Sequence, residues 1–242
     1  MDAKPKIDWE FPEKGAHPLR RIQAIEILVF LLLILPSLAF SFFAIKQGRV
    51  GFTLTAIATV FRDMALVGLV AYFLWRNGES VASIGWRARG VWTEIWIGAA
   101  LFIPAFFVIG GLESLLKSLG FSTPATPRPA YLEVTGRAEI LLALLLVVVV
   151  AVAEETIFRG YLLLRFEGVG IRPSASVLLS AAIFALGHGY EGTAGVASIA
   201  VLGLVYAIVY LWRRSLVAPI TMHFLQDFLG LVLLPLLKGG LR

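Results

Sequence analysis

Three short polar sets interrupt the apolar second half of the sequence. The first is Glu154-Glu155-Thr156-Ile157-Phe158-Arg159, the second runs from Phe184 to His188, and the third from His223 to Asp227. On a helix, Glu155 and Arg159 stand four residues apart and touch, with the acid ahead of the base in the better orientation. Glu154 projects about 100° round from Glu155, so one arginine does not easily neutralise both. The expected arrangement is one paired carboxylate and one free to act as a general base. Phe184 and His188 are predicted to share a helix face. His223 and Asp227 have the same spacing, which lets the acid orient the imidazole and fix its tautomer.

The elements that carry these residues follow from composition. Of 242 residues, 59% are hydrophobic and only 15% charged, with a mean hydropathy of +0.86. A soluble domain averages about 45–50% apolar and about 25% charged. The apolar residues fall in blocks at 22–45, 54–75, 91–116, 138–166, 173–188, 193–212 and 215–237. A span takes ~20 apolar residues, and hydrocarbon offers backbone groups no partner, so such segments must be helical. The predicted fold is all-α, a polytopic transmembrane bundle of about seven or eight helices. Residues 1–21 are expected to be a cytoplasmic segment without a cleavable signal peptide. Residues 22–242 are expected to form a single transmembrane domain.

Cysteine is absent, which excludes disulfide and thiolate chemistry. The net charge of +5 resides in short loops, as membrane orientation demands, and does not point to nucleic acid. With a cytoplasmic N-terminus and seven crossings, inside loops hold Arg76, Arg87, Arg89, Arg165, Arg172, Arg213 and Arg214 besides five N-terminal basic residues. They outnumber the basic residues of the outside loops, which favours that orientation. Trp75, Trp86, Trp92 and Trp212 lie near block ends, as an interfacial belt would place them. The stretch 120–137, with Pro124, Pro127 and Pro129, reads as a stiff extracytoplasmic connector.

An ionisable side chain at mid-bilayer costs at least ~2.5–3.5 kcal/mol, so several together need a reason. On a helix from Glu139 to Phe166, Glu154 lies ~22 Å from one end and ~18 Å from the other. His188 lies ~22 Å from Pro173 and His223 ~12 Å from Ser215, so the three sets can converge near the midplane, with His188 the poorest fit. Arg62-Asp63 and Glu113-Lys117 are expected to be structural ion pairs.

At these residues the sequence resembles the CPBP family of intramembrane proteases, which includes type II CAAX prenyl endopeptidases and bacteriocin-processing or self-immunity proteins. The family's EExxxR, FxxxH and HxxxN or HxxxD motifs match Glu154-Glu155-Arg159, Phe184-His188 and His223-Asp227 in order and spacing. The resemblance covers about 138–228, within a protease-like core at about 138–237. It implies that Glu154 and His188 activate a water, that His223 and Asp227 stabilise the oxyanion, and that Glu155, Arg159 and Phe184 support them. The prenyl proteases typically carry Asn where this chain has Asp227. An ionised Asp repels an oxyanion, so Asp227 is either protonated or serves to orient His223.

No cofactor is expected. A zinc alternative would use His188, His223 and Glu154, although the compact HExxH spacing is absent. The expected partners are the lipid bilayer and a membrane-associated protein or peptide, prenylated substrates included, with no nucleic acid. The chain is expected to be a multi-pass protein of the cell membrane. Competing readings are a proton-coupled transporter, since buried carboxylates and histidines also form proton relays, and a non-catalytic immunity or scaffold protein.

Overall fold

The computed structural model describes residues 20–43, 51–87, 90–124, 133–134 and 136–237. The expected cytoplasmic segment, except Arg20 and Arg21, and half of the proline-rich connector (125–132 and 135) lie outside the described residues.

Each apolar block becomes one helix. They are α1 (Arg20–Phe43), α2 (Phe52–Arg76), α3 (Val91–Ser118), α4 (beginning as Arg137–Glu155), α5 (Pro173–Leu186), α6 (Gly192–Arg213) and α7 (beginning as Val217–Phe228). Two of them change pitch without breaking. α4 passes through a π-helical stretch, Thr156–Tyr161, and finishes as Leu162–Gly168; α7 does likewise through Leu229–Leu233. Pro36 and Pro104 lie inside α1 and α3, which membrane helices tolerate because neighbours re-satisfy the freed backbone groups.

Among the described residues, six helices are long and apolar enough to cross a membrane. α5 is the exception: its 14 residues rise ~21 Å, against ~30 Å of hydrocarbon. Outward-facing Phe61, Phe107, Leu141 and Ile208 are exposed, as lipid-facing side chains must be. The chain is a polytopic helical bundle and an integral membrane protein.

α4 is the central element, packed against α2, α5 and α7. Val70, Phe73, Tyr161, Leu162 and Phe184 form one core with Phe30 of α1. Ile109, Leu202, Tyr206, Ala218 and Met222 join α3, α6 and α7 in another. Gly98 lets α3 meet α7 closely, because a Cβ there would lie 2.5 Å from the Ala218 carbonyl oxygen.

A buried polar network ties one end of the bundle together. Arg165 Nε donates to Glu26 Oε2 at 2.6 Å and its Nη1 to Glu79 Oε1 at 2.9 Å, while Tyr161 Oη donates to Glu26 Oε2 at 2.9 Å. Arg76 also pairs with Glu26. Arg165, expected in a loop, is instead fully buried, so its charge serves helix packing. Trp75, Trp92 and Trp212 are exposed at helix ends. Trp86 departs from the expected belt, because its indole turns inward and donates to Thr156 Oγ1 at 3.1 Å.

Candidate active site

The site forms where α4 changes pitch. Glu155 is the last residue of the regular segment and is fully buried. The following π-helical stretch keeps Arg159 on the same side, and Arg159 Nη1 donates to Glu155 Oε1 at 2.9 Å. Such local widening of a helix recurs at functional sites. The guanidinium lies 4.2 Å from the Phe184 ring centroid and 5.3 Å from that of Tyr206. Its Nη2 donates to the Gly203 carbonyl of α6 at 3.3 Å. Gly203 permits this approach, since a Cβ there would lie 3.3 Å from Arg159 Nη2 and 3.2 Å from the Phe184 ring.

Glu155 also sets His223. The His223 Nδ1 lies 2.8 Å from Glu155 Oε1, and because a carboxylate only accepts, Nδ1 carries the proton. Nε2 then faces Asp227 Oδ2 at 3.4 Å and Glu154 Oε2 at 3.8 Å. The imidazole stacks on Tyr206, with centroids 5.7 Å apart and planes at 30°, and meets the edge of Phe184 at 5.9 Å. Asp227 was the expected orienting acid, yet Glu155 makes the shorter contact and defines the tautomer. The packing of α7 on α4 brings Glu155 closer than the i, i+4 spacing brings Asp227.

Glu154 is held differently. Its side chain is 17% exposed, and its Oε2 is a buried acceptor without a hydrogen-bond partner. Asp227 is 26% exposed. The two carboxylates of the adjacent pair thus divide into one enclosed and ion-paired and one open.

His188 departs from the expected shared helix face. α5 ends at Leu186, and His188 lies in the turn beyond, between Gly187 and Gly189. Its Nδ1 sits 3.2 Å from the Phe184 carbonyl oxygen, which also only accepts, so Nδ1 donates and Nε2 of the neutral ring keeps its lone pair. Its ring contacts are with Phe184 at 5.1 Å and Tyr190 at 5.9 Å. Phe184 is therefore the hub: His188, His223, Phe158 and Arg159 all meet its ring.

Three further residues enter from helices that the motifs do not include. Ser41 of α1 holds the His188 turn: its Oγ accepts from Gly189 N–H at 3.2 Å and lies 2.8 Å from the Leu186 carbonyl oxygen. Tyr206 is buried, and its hydroxyl lacks a hydrogen-bond partner. Asp63 of α2 makes the expected ion pair with Arg62 at 2.8 Å. It also interacts electrostatically with Glu154 and His223, which its reading as a structural pair did not include. The only sequence signal for these three was polarity within apolar blocks. Glu113 and Lys117 make the expected pair at 2.6 Å. Among the described residues, no three His, Asp or Glu side chains group as metal ligands would.

Residues 136–229 match the family model of the Rce1-like type II CAAX prenyl endopeptidases. The matched segment contains α4 to α7 up to Leu229, and with it every residue of the three motifs. No curated protein and no solved structure matches the chain.

Proposed function

We propose, from the match of residues 136–229 to the Rce1-like type II CAAX prenyl endopeptidase family model, that the chain is a glutamate-dependent intramembrane endopeptidase. The observation that carries this reading is the division of labour in the adjacent acid pair. Glu155 is enclosed and bonded through Oε1 to both Arg159 and His223, while the Glu154 side chain beside it is 17% exposed; the Oε2 of each is buried without a partner.

In the proposed reaction, Glu154 accepts a proton from a water as the water oxygen attacks the scissile carbonyl carbon. His188, with Nδ1 tied to Phe184, offers the Nε2 lone pair as a second acceptor that aims the water. Negative charge then develops on the carbonyl oxygen. His223 carries the proton on Nδ1 against Glu155, and in its doubly protonated form it donates from Nε2 to that oxygen. Donors fixed in advance in this way are worth about 2.7–4 kcal/mol each. Glu154 then returns its proton to the departing amine as the C–N bond breaks, leaving a carboxylic acid and an amine. Asp227, 3.4 Å from Nε2, orients His223 and does not itself donate. This reading accommodates Asp227 where the prenyl proteases carry Asn.

The proposed substrate is a membrane-associated protein or peptide, and prenylated proteins belong to that class. The proposed location is the cell membrane. The end bearing Arg20, Arg76, Arg213 and Arg214 is taken as cytoplasmic on charge. The test is hydrolysis of a membrane-tethered peptide by the purified protein in proteoliposomes. Wild-type protein should cleave it and Glu154→Gln should not. Proton-driven solute uptake without cleavage would support a transporter instead.

A further inference from the structure

The first half of the chain supplies one carboxylate that an ion pair alone does not explain. Arg62 and Asp63 are neighbours on α2, yet their side chains are 41% and 2% exposed. Arg62 lies on the outer flank, while Asp63 turns into the bundle. Asp63 Oδ1 accepts from Arg62 Nε at 2.8 Å, whereas Oδ2 is buried without a partner. An unsatisfied buried polar group costs about 1–3 kcal/mol, and more for a charged one, so a bundle that retains one has a use for it.

Depth and packing place Asp63 at the site. Arg76 of α2 and Arg165 of α4 both bind Glu26, so the two helices end on the same side of the bundle. At about 1.5 Å per residue, Asp63 lies ~20 Å from Arg76 along α2 and Glu154 ~17 Å from Arg165 along α4, within about one helical turn of the same depth. α2 packs directly along α4. Arg62 on its own helix pairs with Asp63, and Glu154 from α4 and His223 from α7 act on it electrostatically. Glu154 Oε2 and Glu155 Oε2 are also buried without a donor, but Glu155 already holds Arg159 and His223 through Oε1, and it is Glu154 that acts electrostatically on Asp63. Two carboxylate oxygens cannot satisfy each other, but a water has two O–H groups and satisfies both.

We propose that Asp63 is a catalytic residue: its Oδ2 and Glu154 Oε2 hold between them the water that attacks the scissile bond. This rests on the peptidase reading and adds to it a residue outside the matched segment. One O–H of the water donates to Glu154 and the other to Asp63, so Asp63, and not His188, is the second acceptor that aims the water. As Glu154 takes its proton, the electron pair of that O–H bond forms the new C–O bond, while the O–H held by Asp63 remains and fixes the direction of attack. Arg62 binds only the far oxygen, from outside the site.

The test compares Asp63→Asn, Asp63→Ala, Arg62→Gln and Glu154→Gln in the full-length protein, using a membrane-tethered fluorogenic peptide in proteoliposomes. In Asp63→Asn, Arg62 claims the amide oxygen and an N–H points where an acceptor is needed. Both Asp63 variants should lose at least ~100-fold in kcat with KM within about twofold, as loss of a transition-state interaction requires. Arg62→Gln retains a donor for Oδ1 and should stay within about threefold of wild type. A purely structural pair would give parallel losses of Tm and activity in Asp63→Asn and Arg62→Gln, and that result would overturn the proposal. Wild-type kcat in Asp63→Asn would also overturn it.

Failure of all peptides, or full cleavage by Glu154→Gln, would instead sink the peptidase reading. A measurement without turnover then decides on Asp63. Infrared difference spectra in ordinary and 18O-labelled water should show a Glu154 carboxyl band, absent in Glu154→Gln, that moves in Asp63→Asn and not in Arg62→Gln. A band unaffected by Asp63→Asn would contradict the shared water.

Discussion

Glu155 anchors the buried charges of the site, and replacing it together with Arg159 in a double-mutant cycle puts a number on that role. One oxygen of Glu155 receives Arg159 at 2.9 Å and His223 at 2.8 Å, in a place with no solvent exposure. Glu155→Leu leaves a buried guanidinium without its counter-charge, which costs about 3–5 kcal/mol for pairs of this kind. The rings of Phe184 and Tyr206 remain against the cation and retain about 0.5–2 kcal/mol. The expected net loss is about 3 kcal/mol, on the order of 150-fold in the folded-to-unfolded ratio at about 1.4 kcal/mol per tenfold. Arg159→Met should cost a similar amount by stranding Glu155. In Glu155→Leu/Arg159→Met both charges are gone, and the main remaining penalty is the His223 Nδ1–H without its acceptor, about 1–3 kcal/mol. The double variant should therefore lose less than the sum of the singles by at least ~2 kcal/mol, well above the ~0.3–0.5 kcal/mol scatter of independent sites. Reversible unfolding in mixed micelles titrated with a denaturing detergent measures all four corners. Single losses below ~1 kcal/mol, or strict additivity, would refute the buried-charge reasoning.

The other expectations are more local. Ser41→Ala removes the acceptor for the Gly189 amide and should cost about 1–2 kcal/mol of local stability, seen as faster hydrogen exchange at Gly189; Ser41→Thr should restore protection. Asp227→Asn keeps an oxygen beside His223 and should retain activity within about tenfold, whereas Asp227→Leu should lose on the order of 100-fold, a difference that kcat measurements resolve. Gly98→Leu forces a side chain into the Ala218 carbonyl and should destabilise the contact of α3 with α7 by at least ~1–3 kcal/mol, read as a lowered Tm with helicity retained.

The bundle was legible because bilayer physics leaves an apolar block only one conformation. Each of the seven blocks became a helix, with ends shifted by a few residues. The second-half site was legible because its charges sit at i, i+4 spacing within apolar runs. Less was legible where rotation about a helix axis decides. In a membrane bundle both faces of a helix are apolar, so hydropathy does not say which way Asp63 or Tyr206 points. Adjacent Arg62 offered a sufficient partner for Asp63, and only helix packing reveals the inward turn. His188 carried an overlooked signal: glycines on both sides mark a helix end better than a helix interior. Trp86 and Arg165 were assigned by distance from loops. Their polar groups are instead consumed by Thr156, Glu26 and Glu79.

The open carboxylate of Glu154 is the centre of the account. Its most direct test is the rate of hydrolysis of a membrane-tethered peptide by wild-type protein and by Glu154→Gln, reconstituted side by side at equal folded concentration. Wild-type protein should cleave the peptide and the variant should lose at least ~1,000-fold in kcat, the order expected when a positioned base is removed. Equal rates for the two proteins would contradict that role for Glu154.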